Sequence, residues 1–190
     1  VTRIAVIGTA GRKTAADRLD WPTFLLMREA VLRELQNIPR PWELVSGAAA
    51  WADHVAVDLF LGGEVDRLEL HLPCRFNGAI FYGASDEART ANHYHQAFTA
   101  RMPPLRSSFT DLREAIARGA TIWQYEVEGF KARNYAVGRV EVVIAQTFGR
   151  GSVPADGGTK HCWDNSAAPV KIHIPIGELQ NPAPAQQNLF

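Results

Sequence analysis

Short β-branched apolar runs alternate along this chain with longer stretches whose apolar residues recur every three or four positions. The first run, residues 3–9 (RIAVIGT), ends near a glycine, as a buried parallel strand does. Residues 10–21 are polar and read as loop. Pro22 opens a helix, because proline suits a first turn. Phe24, Met27, Val31 and Leu35 follow at helical spacing, and Pro39 and Pro41 close it. Residues 42–47 (WELVSG) predict a second strand. Residues 51–61 predict a second helix stopped by Gly62 and Gly63, and residues 67–73 (RLELHLP) a third strand.

The middle is less regular. Helices are expected over 86–101, 110–118 (stopped by Gly119) and about 130–138. Residues 141–148 (EVVIAQTF) predict a fourth strand, 149–158 a glycine-rich loop, 159–166 a short helix and 170–176 (VKIHIPI) a fifth strand. Strands alternating with helices imply an α/β, Rossmann-like doubly wound fold. Its sheet is mainly parallel, its crossovers are right-handed, and extra helices are inserted after the third strand. The 190 residues suit one domain, taken as 1–180 with an insertion at about 76–129. Residues 181–190, rich in Pro, Gln and Asn, read as a tail that orders only if Leu189 and Phe190 dock.

Charge narrows the function. Twenty basic residues balance twenty acidic ones, so nucleic-acid binding by bulk electrostatics is disfavoured. A local patch from Arg12, Lys13, Arg133, Arg139, Arg150 and Lys160 stays open. No apolar run approaches the roughly 20 residues that span a bilayer. The first residues show no secretory pattern. Cys74 and Cys162 are far apart and in no metal-type pair. A cytoplasmic protein without membrane partner, metal or cofactor is the expectation.

Three segments follow strands with small residues: Gly8-Thr9-Ala10-Gly11-Arg12, Ser46-Gly47-Ala48 leading to Asp53 and His54, and Gly157-Gly158-Thr159-Lys160. Glycine lets a ligand approach the backbone. The helix start that follows offers unpaired N–H donors and partial positive charge, which suits phosphate. In an open α/β sheet such loops converge beyond the carboxyl ends of the strands. None carries the dinucleotide fingerprint or a Walker lysine, so ordinary dehydrogenase and P-loop functions are disfavoured.

The order Val6-Ile7-Gly8, Ser46-Gly47-Ala48 with Asp53-His54, Arg133-Asn134, then Gly157-Gly158-Thr159 resembles the SLOG superfamily of Rossmann-like proteins. That group holds the LOG phosphoribohydrolases, the DNA-processing protein A family and nucleotide-sensing domains. The resemblance runs from about residue 3 to 176, apart from the insertion, and is nearest to small phage and bacterial members. It implies a nucleotide or nucleotide-sugar ligand and a homodimer. The LOG motif Pro-Gly-Gly-x-Gly-Thr-x-x-Glu matches Asp156-Gly157-Gly158-Thr159-Lys160-His161-Cys162, with one glycine spacing shortened and Cys162 in place of the catalytic glutamate. Arg133 matches the family's helix arginine. The resemblance therefore implies that phosphate binding is kept and the hydrolytic carboxylate is lost, since N-glycoside cleavage needs a carboxylate. Asp53 or Asp164 is the alternative catalytic acid. Asp164, two residues on, is turned by about 200° around a helix. The DNA-processing resemblance at 46–54 leaves single-strand binding as a weaker alternative.

Each residue also has a plain structural reading. Asp53 either caps the second helix or bonds a ribose hydroxyl. Arg133 either forms a surface salt bridge or holds phosphate bidentately with Asn134 beside it. His93 and His95 do not share a helix face, so a packed or solvated role is expected. Cys162 is expected to be a small buried residue rather than a nucleophile. Trp123, Tyr125 and Phe130 are either core or a lid over the pocket.

Overall fold

A computed structural model describes residues 1–83, 86–154 and 157–181. Six strands form one all-parallel sheet: β1 (Thr2–Gly8), β2 (Trp42–Ser46), β3 (Arg67–Leu72), β6 (Thr121–Gln124), β7 (Val142–Thr147) and β8 (Val170–Pro175). Their order is β6-β3-β2-β1-β7-β8. The chain leaves β1 toward β2 on one side and returns to β1's other edge with β7. This is the doubly wound, Rossmann-like arrangement that the alternating pattern predicts, and the reversal of strand order lies between β1 and β7.

Helices cover both faces. On one lie α1 (Trp21–Leu35), α2 (His54–Leu61), α3 (Asp86–Thr99) and α4 (Ser108–Ala117), which bury Phe24, Met27, Leu35, Leu59, Phe98 and Leu112 against Ile4, Val6, Leu44 and Leu70. On the other lie α5 (Gly129–Val137) and α6 (Gly158–Asn165), which close a smaller core of Ala5, Ile7, Val45, Val137, Val143 and Cys162. The alternation of Ile4 and Val6 with Ala5 and Ile7 between the two cores is why β1 reads as a continuous apolar run. Among the described residues no helix is long and apolar enough to cross a membrane.

Several elements differ from the sequence expectation. A 3-10 helix occupies Lys13–Arg18, inside the segment read as loop. The insertion holds α3 and α4 as expected, but also a hairpin of β4 (Arg75–Phe76) and β5 (Phe81–Tyr82), and the edge strand β6. Trp123 on β6 is 54% exposed, so it belongs to neither core nor pocket. The second helix begins at His54 rather than 51, because Trp51 has a left-handed φ of 63° that cannot continue into a helix. A last helix, α7 (Ile176–Gln180), follows β8, where Gln180 Nε2 donates to Arg18 O (2.7 Å) and Thr23 Oγ1 (3.0 Å). Leu189 and Phe190 of the expected tail lie outside the described residues, as does Asp156.

Candidate functional site

The carboxyl ends of β1, β2 and β7 open into a cavity of about 500 Å³, the size range of small-ligand pockets. All three small-residue segments reach it. Gly8, Thr9 and Arg12 line it from the first, Gly47, Ala48 and Asp53 from the second, and Gly157, Gly158 and Thr159 from the third. Arg133, Asn134 and Phe130 come from α5. Thr159 Oγ1 donates to Gly8 O at 2.7 Å, tying the start of α6 to the end of β1.

Asp53 forms the floor. It occupies the cap position of α2, yet its side chain makes no cap bond. It turns to β1 instead and accepts the Gly8 N–H at 3.0 Å. Burial raises its carboxyl above the usual range, opposed by Arg133 and by the backbone N–H groups of Gly8, Ala49 and Gly47. Ser46 works beneath it: its hydroxyl donates to Asp53 O at 2.8 Å and accepts from the Ala48 N–H at 3.1 Å. Ser46 is fully buried and shapes the loop without reaching the cavity.

Arg133 is no surface salt bridge. Its Nη1 donates to Gly47 O (3.1 Å), and Nε and Nη2 donate to Asn134 Oδ1 (3.2 and 2.9 Å). The guanidinium lies deep in the molecule, with its remaining accessible surface facing the cavity. Burial pushes its pKa down, opposed by the negative potential of Asp53, and Arg12 across the cavity adds repulsion. Its hydrogen bonds go to carbonyl oxygens, and the carboxylate that acts on its charge is Asp53.

The start of α6 completes the wall. Gly157 has φ 105° and ψ −157°, a conformation that L side chains rarely adopt. Among the described residues no side chain caps the helix, and Gly157, Gly158 and Thr159 of its start line the cavity.

The backbone around the cavity is strained. Of five non-glycine residues with left-handed φ among the described residues, Lys13 and Ala48 line the cavity, and Trp51 and Glu128 precede α2 and α5. Such conformations cost about 1–3 kcal/mol each and gather at ligand sites. His95 holds one in place: its Nε2 donates to Ala48 O at 2.9 Å, and Nδ1 meets Ser108 Oγ at 3.0 Å.

Other candidate residues lie outside the cavity walls. Gly11 is buried under the Trp51 indole. His54 is fully buried and bonds Asp111 Oδ2 at 3.1 Å, on the core side of α2 between Phe24 and Phe98. Lys160 and Asp164 pair with each other at 2.6 Å one turn apart on the outer side of α6, which leaves Asp164 unable to act on a cavity ligand. Tyr125 bonds His71 Nδ1 at 2.8 Å. Conversely Lys13, Thr90, Tyr94 and His95 join the wall without having been singled out as ligands. Tyr94 and His95 come from the insertion, whose position over the strand ends no local motif reveals.

Cys162 lines the cavity and is 2% exposed. Burial and the nearby Asp53 push its thiol up to about 12, and burial pushes Cys74 up to about 11. Neither is a thiolate at neutral pH. The native protein is therefore expected to resist iodoacetamide at both positions and to react fully once unfolded. Rapid native modification of Cys162 would contradict its placement.

Burial and the neighbouring His54 press His95 down to about 3 from its ordinary 6.5, against its bond to Ala48. The folded state keeps the ring neutral where the unfolded chain protonates it. The unfolded chain then binds one more proton between these two values, so stability is intact above 6.5 and declines as pH falls through the window. The slope is about 1.4 kcal/mol per pH unit. Denaturant melts from pH 7 to 4 should show that decline, and His95→Gln should flatten it; an unchanged slope in the variant would reject the assignment.

The architecture and crevice define a Rossmann-like α/β protein with an open site at its topological switch point. No family model and no solved structure matches the chain. The chain is 30% identical over 177 residues to an uncharacterized protein of Acanthamoeba polyphaga mimivirus, across 90% of this chain and 94% of the viral one. It belongs to the same family as that viral protein.

Proposed function

We propose that the crevice binds a nucleotide or a nucleotide-derived phosphorylated ligand, with phosphate on Gly157, Gly158, Thr159 and Arg133. One observation carries this reading. Among the described residues the charged side chains around the cavity are Arg12, Lys13 and Arg133 against Asp53, while His95 is neutral, so its described walls carry net positive charge in a chain of zero net charge. Arg12 and Lys13 make no ion pair among the described residues, so neither charge is neutralised by a carboxylate there. The start of α6, which no side chain among the described residues caps, lines the same space, and phosphate suits both features. The resemblance of the motifs to the SLOG superfamily points the same way.

A hydrolytic reading rests on Asp53, the one carboxylate on the wall among the described residues. A carboxyl raised by burial suits an acid that protonates a leaving base. Cys162 stands at the glutamate position of the LOG motif and offers no carboxylate, so binding without cleavage is preferred.

The test is a thermal-shift screen against nucleoside mono-, di- and triphosphates, ADP-ribose, NAD and cyclic nucleotides, followed by mass spectrometry. A ligand that binds only the folded state raises the melting temperature. A rise with intact ligand is the expected result. Release of free base would transfer the function to Asp53 hydrolysis, and no rise with any nucleotide would reject the proposal.

A further inference from the structure

The cavity is several times larger than a phosphate group, so the rest of the ligand must meet another wall. That wall is one face of α3. Thr90, Ala91, Tyr94 and His95 are spaced three and four apart and all line the cavity. His95 is committed to Ala48 and Ser108. Ala91 is small and leaves room. Tyr94 makes no hydrogen bond among the described residues.

Among the described residues one tyrosine and two phenylalanine rings line the cavity, and each has a cation over it. Arg133 covers Phe130 at 5.1 Å but is fixed by Gly47 and Asn134. Arg18 lies tightly on Phe148, at 3.9 Å. Arg12 covers Tyr94 loosely, at 5.4 Å, and is exposed, without a hydrogen bond or ion pair among the described residues. Arg18 is likewise exposed and without a side-chain hydrogen bond or ion pair among the described residues, but it sits closer on its ring, so Tyr94 is the ring with the loosest unanchored cover. A guanidinium over a ring marks a face that accepts a flat, electron-poor partner, and nucleobases stack on such faces.

We propose that Tyr94 is the specificity residue of the site: it stacks the base of the ligand and makes the site prefer a nucleotide over a bare sugar phosphate. The inference rests on the phosphate site proposed above. A separation of 5.4 Å admits no third plane, so the base takes the place of Arg12 on the ring. Arg12, displaced, turns its charge to the ligand's phosphate opposite Arg133. The insertion thereby supplies selectivity while the strand-end loops supply the anion site.

Isothermal titration with adenosine 5′-monophosphate and with ribose 5-phosphate separates the two levels. The unmodified protein should prefer the nucleotide by about ten- to a hundredfold, the range of one stacked base. Tyr94→Leu keeps the apolar packing of this position and should bring the nucleotide down to ribose 5-phosphate affinity. Affinity for ribose 5-phosphate should stay unchanged, and Tyr94→Phe should keep the preference. A preference retained in Tyr94→Leu would overturn this inference and leave the phosphate site standing. Failure of both ligands to bind, or unchanged binding of both in Arg133→Ala, would remove the phosphate site and this inference with it.

Discussion

Gly158→Asp is expected to abolish nucleotide binding while leaving the protein folded and no less stable. Among the described residues a Cβ at this position meets only Asn134 Nδ2, at 3.4 Å, and the backbone is not left-handed, so the side chain is accommodated. An aspartate in the first turn is itself favoured by the helix dipole. The carboxylate would lie where the phosphate is placed, at the start of α6, which no side chain among the described residues caps. Losing two charge-assisted hydrogen bonds of about 1.5–3 kcal/mol each weakens binding at least a hundredfold. Gly158→Ala supplies the comparison: it adds bulk without charge and should bind far better than Gly158→Asp. Titration calorimetry beside a thermal melt reads both quantities. Full affinity in a folded Gly158→Asp protein would remove the phosphate from the start of α6.

Gly8→Ala should act in the opposite way, through stability first. A Cβ there would lie 2.1 Å from Gln146 O and 2.5 Å from Ala52 Cβ. Neither neighbour is the end of a flexible side chain. The Gln146 carbonyl accepts the Thr9 N–H at 2.9 Å, and the Ala52 N–H donates to Thr9 O at 3.3 Å, so movement of either breaks the join between β1, β7 and the loop before α2. Overpacking of this kind costs about 1–3 kcal/mol or more. In a chain of this size each kcal/mol lowers the melting temperature by about 2–4 °C. Because Gly8 also donates to Asp53 and accepts from Thr159, nucleotide affinity should fall with it. A variant that melts with the parent protein would show that the close packing of β1 against β7 and α2 is misplaced.

Strands β1 and β7 are legible because they lie in the interior of the sheet and carry continuous apolar runs, and β2, β3 and β8 because apolar residues recur in short segments bounded by turn residues. β6 is four residues long, sits at the edge, and leaves Trp123 in solvent, so no apolar pattern marks it. The three small-residue segments were legible as loops at the strand ends because glycine and alanine there have a physical use. Their neighbours were not all assignable. Asp53 and His54 are adjacent, but successive helical residues diverge by about 100°, so one faces the cavity and the other the core. Lys160 and Asp164 are one turn apart and satisfy each other on the outer face. The left-handed backbone at Lys13, Ala48 and Trp51 has no signature in residue type. Tyr94 enters only through tertiary placement of α3, far along the chain from each of the loops it faces.

The most direct measurement is a two-dimensional amide NMR titration of the isotopically labelled protein with adenosine 5′-monophosphate. The account predicts that the largest shifts fall on the amides of Gly158 and Thr159 and on the side-chain resonances of Arg133, with smaller shifts along the face of α3 that carries Tyr94. Binding with shifts confined to any other surface, and these groups unmoved, would contradict it.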